Sequence, residues 1–406
     1  MKTLSLLLAF NILPLSAQVL PGADILVRER LDLIRNKRIG IITNHSALLK
    51  DGRHLVDALN ALPGVTITAL FGPEHGIRGD APDGRTVRDT VDASTGVPMY
   101  SLYGATNKPT AAMLVDVDVL LYDIQDVGAR FYTFISTLSL AMEAAAERGI
   151  PFVVLDRPNP IRGTWVEGFI RVDSVRSFVG LHPIPIAHGM TVGELAMMFN
   201  NEGWLAGGVK ANLTVVRCGG WKRSMWFDQS GLIWVKPSPN MATLATATVY
   251  PGTCLFEGTN LSEGRGSERP FEVIGAPYVD GSIWAAALKN VGLPGVEFEP
   301  VRFTPVEIPN VTSRPKHQGK DCGGVFVHVT DRDRYEPVRT AIHMLATVRQ
   351  LYGKDFQWRP GSIDRLSGTT ELRTKVDAGV SADEIAATWK EGLEAFGKIR
   401  AKHLLY

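Results

Sequence analysis

The sequence predicts an α/β protein: a doubly wound sheet domain followed by a smaller α+β domain. Three observations carry that expectation. Four strongly apolar runs, "RIGIIT" at 38–43, "VTITALF" at 65–71, "VDVLLYD" at 117–123 and "PFVVLD" at 151–156, alternate with helical segments, and runs apolar on both faces belong to covered parallel strands. The pattern changes after about residue 249, where a strand-like "GGVFVHVTD" precedes two amphipathic segments. The chain of 406 residues also exceeds what one core usually holds.

Taken in order, residues 1–17, "MKTLSLLLAFNILPLSA", place a Lys, an apolar run and a small-residue end as a cleaved secretory signal does. No Cys follows at a lipoprotein position, and no later stretch approaches the roughly 20 apolar residues of a membrane helix. The mature protein is therefore expected in the periplasm or outside the cell, without membrane insertion. The sheet domain is assigned to 24–248. Within it, "TFISTLSLAMEAAAERG" is a helix closed by Gly149 and Pro151, and "TVGE" at 191–194 is a capping box that starts a second helix at Thr191. The α+β domain takes 249–406, with helices over "PVRTAIHMLATVRQLYG" and "SADEIAATWKEGLEAFGKIRAKHLLY".

The composition excludes several classes of function. With 43 basic and 42 acidic residues the net charge is +1, and without a basic run a nucleic-acid partner is not expected. Cys218, Cys254 and Cys322 are the only cysteines; an exported chain could join one pair, but their odd number rules out a disulfide framework, and their spacing suggests no zinc site. The turn after the first strand lacks G-x-G-x-x-G, and the later glycine-rich stretch lacks the Lys-Ser/Thr of a phosphate loop, so no nucleotide cofactor is expected.

Ligands of open parallel sheets bind beyond the carboxyl ends of the strands. Here those ends deliver Asn44-His45-Ser46, Glu74-His75, Asp123 with Gln125 and Asp126, and Asp156-Arg157 with Asn159. In "FGPEHGIRG" Pro73 and the flanking glycines stiffen the backbone, so that Glu74 and His75 project from a rigid support; the competing reading pairs Glu74 with Arg78 across a surface turn. Arg130 and Tyr132 of "DVGARFYTF" open the next helix, where Arg130 suits a carboxylate ligand or a salt bridge to Asp123 or Asp126. His182 and His188 follow, either of which suits a core position bonded to backbone. The last dense stretch, "FEGTNLSEGRGSERPFE", sets Glu257, Asn260, Glu263, Arg265, Glu268 and Arg269 among glycines that imply turns.

"FGPEHGIRG", "YDIQDVGARFYT", "LDRPNP", "PSPN" and "GTNLSEGRGSERPFE" occur in this order in the exo-β-N-acetylmuramidases of the NamZ type, which the sequence resembles from about Arg38 to its C-terminus. Ser267 stands where the family usually has Thr, and Ala242 where Pro is common. The resemblance implies a Rossmann-like domain and a smaller domain enclosing an active site, release of terminal N-acetylmuramic acid from the non-reducing end of peptidoglycan fragments, and Glu74 as the catalytic acid.

Glycosidic cleavage usually uses a second carboxylate, for which Asp123 and Glu263 are the candidates, unless the sugar's own acetamido group attacks. A cation should read the lactyl carboxylate of muramic acid: Arg130, Arg157 or Arg265. Asn44, Asn240 and Asn260 suit the N-acetyl group and hydroxyls, and His45, His75, His188 and Tyr132 complete the expected substrate-binding set. Two rival readings remain. One is a metal-dependent peptidoglycan amidase or esterase using His45, His75 or His188 with Asp123, although no H-E-x-x-H spacing supports it. The other is a non-catalytic muropeptide-binding protein.

Overall fold

In the computed structural model, residues 18–74, 76–77 and 89–406 are described; the expected signal segment 1–17, His75 and Arg78 lie outside them. All four apolar runs form strands: β1 (Arg38–Thr43), β2 (Thr66–Gly72), then after β3 (Thr90–Val91) and β4 (Pro98–Ser101), β5 (Val119–Asp123) and β6 (Phe152–Leu155). With β7 (Leu213–Val216) they make one sheet in the order β3-β4-β2-β1-β5-β6-β7, parallel except for the β3–β4 pair.

The two-sided burial expected of such strands is visible residue by residue. Val119, Leu121, Val153 and Leu155 join one cluster, with Ala23 and Leu26 of α1 (Gly22–Glu29) and Leu55 and Leu59 of α2 (Leu55–Asn60). Leu120, Tyr122, Phe152 and Val154 point the other way, into a second cluster with α3 (Phe134–Glu147) and α4 (Val192–Asn201). Alternation along a strand sends successive side chains to opposite faces, and both faces are dry. The capping box at Thr191 is formed as the sequence implies.

The smaller sheet is antiparallel, in the order β8 (Val273–Ala276), β10 (Cys322–Val329), β9 (Val296–Phe303). Around it lie α5 (Leu244–Thr253), α6 (Gly281–Val291), α7 (Pro337–Leu351) and α8 (Pro360–Ser367). The segment beginning at Ser381 is not one helix: it breaks into Ala382–Ala387 and Lys390–Arg400. The Thr388 hydroxyl donates back to the Ile385 carbonyl, and Trp389 turns inward to meet Phe169 edge to face at 5.2 Å. Cys218, Cys254 and Cys322 are buried and unpaired. No described helix is long and apolar enough to cross a membrane.

The two sheets do not have separate cores. The cluster containing Tyr122 and Phe152 continues without a break through Tyr250, Phe271, Trp284, Val325 and Ile342. α5, which spans the expected boundary near Val249, packs on α7 so closely that a Cβ at Gly252 would lie 2.0 Å from the Pro337 carbonyl oxygen, so only glycine fits there.

Glu167 is a second tie across this seam. Its carboxylate accepts from the Arg339 backbone N–H at the start of α7 (2.7 Å), while its other oxygen is buried without a partner. Burial pushes its pKa up to about 8. A carboxyl whose folded pKa exceeds its unfolded value contributes stability that is fully present below the unfolded value and is lost as pH rises through the folded one. The urea midpoint should therefore fall between about pH 5 and about pH 8.5, and Glu167→Gln, neutral throughout, should flatten that fall by on the order of a few kcal/mol. Equal pH slopes in the parent and the variant would show that Glu167 does not carry the effect.

Candidate active site

The topology puts the switch point between β1 and β5, where the chain turns from one side of the sheet to the other. That crevice is filled by the protein's own side chains. Arg157 embraces the fully buried Asp123 through Nε and Nη2, the latter at 2.9 Å, and also donates to the Leu48 carbonyl. Asn44 accepts from the Ser46 N–H at 3.0 Å, and the Ser46 hydroxyl in turn accepts from the Gln125 N–H at 3.1 Å. Only about 40 Å³ of space remains beside Ser46, Gln125 and Arg157.

A larger cavity, about 240 Å³, opens beyond β2 and the start of α3. Glu74 enters it on the turn after β2, where the Gly76 N–H closes on the Pro73 carbonyl at 3.0 Å and Gly76 takes φ +75°. This is a conformation that glycine adopts without strain, and the stiff support expected of "FGPEHG" is present at Pro73 and Gly76. The Thr133 hydroxyl, at the entrance of α3, donates to Glu74 Oε2 at 3.3 Å. Tyr132, Tyr250 and Phe271 supply aromatic walls in edge-to-face contact, with Tyr250 lying 5.8 Å from Tyr132 and 4.8 Å from Phe271.

The second half of the chain closes the cavity with Glu257 and Arg265. Glu257 sits on the short helical turn Cys254–Gly258 that continues α5. Arg265 Nη2 donates to its Oε1 at 2.9 Å, Arg265 Nε lies 3.4 Å from Glu263, and the guanidinium rests over the Phe271 ring at 5.0 Å. Lys316 holds the far side of Glu263 at 2.9 Å and donates to the Phe256 and Leu261 carbonyls. Burial raises the Glu257 carboxyl above its ordinary value against the pull of Arg265. Burial would raise Glu263 as well, but Lys316 and Arg265 outweigh it and hold that carboxyl below its ordinary value. Glu74 and Glu257, from different halves of the chain, thus line one cavity.

Models of the N-terminal and C-terminal parts of the exo-β-N-acetylmuramidase NamZ match residues 39–245 and 248–406. The chain belongs to the NamZ family. It is 48% identical over 390 residues, 96% of this chain and 92% of the relative, to the peptidoglycan β-N-acetylmuramidase NamZ of Bacillus subtilis (strain 168). It is also similar to two crystal structures of DUF1343 family proteins from Bacteroides fragilis NCTC 9343. One has a TM-score of 0.88 at 36% identity and the other 0.78 at 35%; each comparison covers 96% of this chain and 99% of the other.

Within this NamZ fold, the cavity brings together Glu74, Tyr132 and Arg265 from the set expected on sequence. Other members of that set lie elsewhere. Arg130 is buried beneath the seam, where its guanidinium donates to the carbonyls of Phe169, Ile184 and Leu366; it pairs with neither Asp123 nor Asp126. Asp123 and Arg157 neutralise each other in the switch-point crevice, and Asn44 is bonded to Ser46 and His54. His188 is buried, accepts from the Met190 N–H and stands 3.4 Å from Asp126. His45 bonds the Lys236 carbonyl at 2.6 Å.

Asn240 braces the loop at Val311 and Thr312. Asn260 uses its amide on Tyr278, Gln357 and Asp355. Glu263 lies behind Arg265, lining a neighbouring cavity. Glu257 is the residue that sequence reasoning passed over. It stood in the same glycine-rich stretch as Glu263, and nothing in spacing tells which of two carboxylates six residues apart faces the open side.

Proposed function

We propose that the protein is an exo-acting glycoside hydrolase that releases N-acetylmuramic acid from the non-reducing end of peptidoglycan fragments. The observation that carries this reading is the pair Glu74 and Glu257, brought from the two halves of a NamZ-family chain onto one cavity. Glu74 gives its proton to the glycosidic oxygen as the bond to the anomeric carbon breaks; a water molecule bonds to that carbon and passes a proton to a cavity carboxylate, so that the products are N-acetylmuramic acid and the released alcohol. Glu257 supplies the second carboxylate that offsets positive charge growing on the ring. Arg265 holds Glu257 in place, and Thr133 holds Glu74, so both are oriented before substrate arrives.

The cavity's size supports exo action. At about 240 Å³ it lies below the roughly 300–1,000 Å³ of pockets for drug-sized ligands, which suits one sugar ring rather than a run of them. Tyr132, Tyr250 and Phe271 line the cavity and supply apolar wall for the sugar's C–H groups. The Bacillus relative, named for action on peptidoglycan, favours glycosidic cleavage over the amidase and binding-protein readings.

Incubation with a disaccharide carrying N-acetylmuramic acid at its non-reducing end tests bond, sugar and direction together. Free N-acetylmuramic acid is the expected product; an unchanged disaccharide, or release of a lactyl substituent instead, would overturn the reading. We further propose export with cleavage after Ala17, on the charged, apolar and small-residue pattern of 1–17. N-terminal sequencing of protein from the native host should begin at Gln18.

A further inference from the structure

The wall formed by Glu257 and Arg265 has a second side. Behind it lies another cavity of about 300 Å³, which shares these two residues with the first and is lined also by Glu263, Arg314, Lys316 and Arg359. Four cations face two carboxylates there. Lys316 is committed to Glu263 and two carbonyls, and Arg265 to Glu257 and Glu263. Arg314 and Arg359 are different: both are exposed, and neither guanidinium has a carboxylate partner among the described residues. Arg314 also takes φ +52°, a backbone conformation that non-glycine residues rarely adopt. The hydroxyls of Ser313 and Ser362 stand beside them.

An excess of unpaired guanidinium in a concave, hydroxyl-lined site is suited to a carboxylate, which it can bind with parallel donors. We propose that this second cavity is a carboxylate-binding subsite, read by Arg314 and Arg359, for the acidic arm on the sugar held in the first cavity. The inference rests on the muramic-acid reading of the first cavity. A muramic sugar between Glu74 and Glu257 carries a lactyl ether whose carboxyl end is free, or extended by a peptide with its own carboxylates. Either source presents the same chemistry past the Glu257–Arg265 pair. Arg265, already shared between two carboxylates, forms the rim of this subsite, and the cations beyond it do the reading.

The test compares the parent with the double variant Arg314→Ala/Arg359→Ala on three disaccharides: a free lactyl carboxylate, its methyl ester, and an arm extended by an Ala–Glu dipeptide. The kcat/KM ratio of acid to ester should fall about tenfold or more in the variant, the scale of a lost charge-assisted hydrogen bond. A fall for the free lactyl substrate assigns the subsite to the lactyl carboxylate. A fall confined to the dipeptide substrate assigns it to the peptide's acidic residue. Ratios equal to the parent's on both acids overturn the proposal. Calorimetric titration with N-acetylmuramic acid and its methyl ester reads the subsite without turnover. A parent that cleaves none of the substrates but prefers the acid loses the proposed reaction and keeps the subsite, whereas a parent that binds acid and ester equally loses the subsite.

Discussion

Glu74→Gln should lose about a hundredfold to ten-thousandfold in rate on a natural muramyl disaccharide, the usual range for removal of a general acid, and far less on an aryl muramide. The reason lies in the leaving group. A sugar hydroxyl departs poorly without a proton, whereas a nitrophenolate leaves unaided, so loss of the donor is felt in proportion to that need. Gln keeps the volume of Glu and can still accept from Thr133 Oγ1, which lies 3.3 Å from Glu74 Oε2, so the melting temperature should change little. Glu257→Gln gives the contrasting signature. A carboxylate that stabilises charge on the ring is needed whatever leaves, so both substrates should slow together. Equal losses on the two substrates for Glu74→Gln would exchange the roles of the two residues, and full activity would remove Glu74 from the chemistry.

Asp123→Ala and Arg157→Ala should each cost about 3–5 kcal/mol of stability, the range for breaking a buried ion pair by removing one partner. Asp123 is fully buried and Arg157 almost so. Burial disfavours the Arg157 charge, and Asp123 more than compensates, leaving its pKa raised. Either single substitution strands an uncompensated charge between β1 and β5. Replacing both by apolar residues of similar volume should restore much of the loss, because the desolvation penalty disappears with the charges. Urea unfolding of the two single variants and the double variant checks this. A loss under about 1 kcal/mol for Asp123→Ala, or a direct loss of catalysis without loss of stability, would return Asp123 to the list of chemical groups.

These two expectations also mark what could be read from the chain before its structure. The strands were legible because parallel strands buried on both faces have an unmistakable apolar continuity, as in "VDVLLYD". The short edge strands Thr90–Val91 and Pro98–Ser101 were not, since an exposed or partly covered edge has no such signature. At Glu74, Pro73 and Gly76 announce a fixed turn, but the turn alone does not separate a catalytic carboxyl from a surface one; the role as acid is what the family resemblance implies.

The polar groups at the other strand ends looked alike in sequence and differ in depth. Asp123 ends β5 and Arg157 follows β6 by two residues, and pairing between β5 and β6 brings their carboxylate and guanidinium side by side. Arg130 illustrates the same limit. An arginine before a helix is equally apt for a ligand, a carboxylate or a ring of carbonyls, and only the packing of 169–184 and Leu366 around it decides. Glu257 and Glu263 were separated by the course of a loop rich in glycine, the residue whose backbone is least determined by its neighbours.

The continuous core has a consequence for how such a protein can be rearranged. Tyr250 touches Phe131 and Tyr132 on one side and Phe271 on the other, and the same side chains wall the cavity. A chimera joining residues up to 245 of this chain to the remainder of a relative about one-third identical would bring together two surfaces that had not diversified in step. Mismatched aromatic volumes at the joint would disturb folding and the sugar's seat at once. Recombination between relatives should therefore be tolerated in exposed loops of either part and selected against at the boundary between them, so that the two parts are inherited as a matched pair.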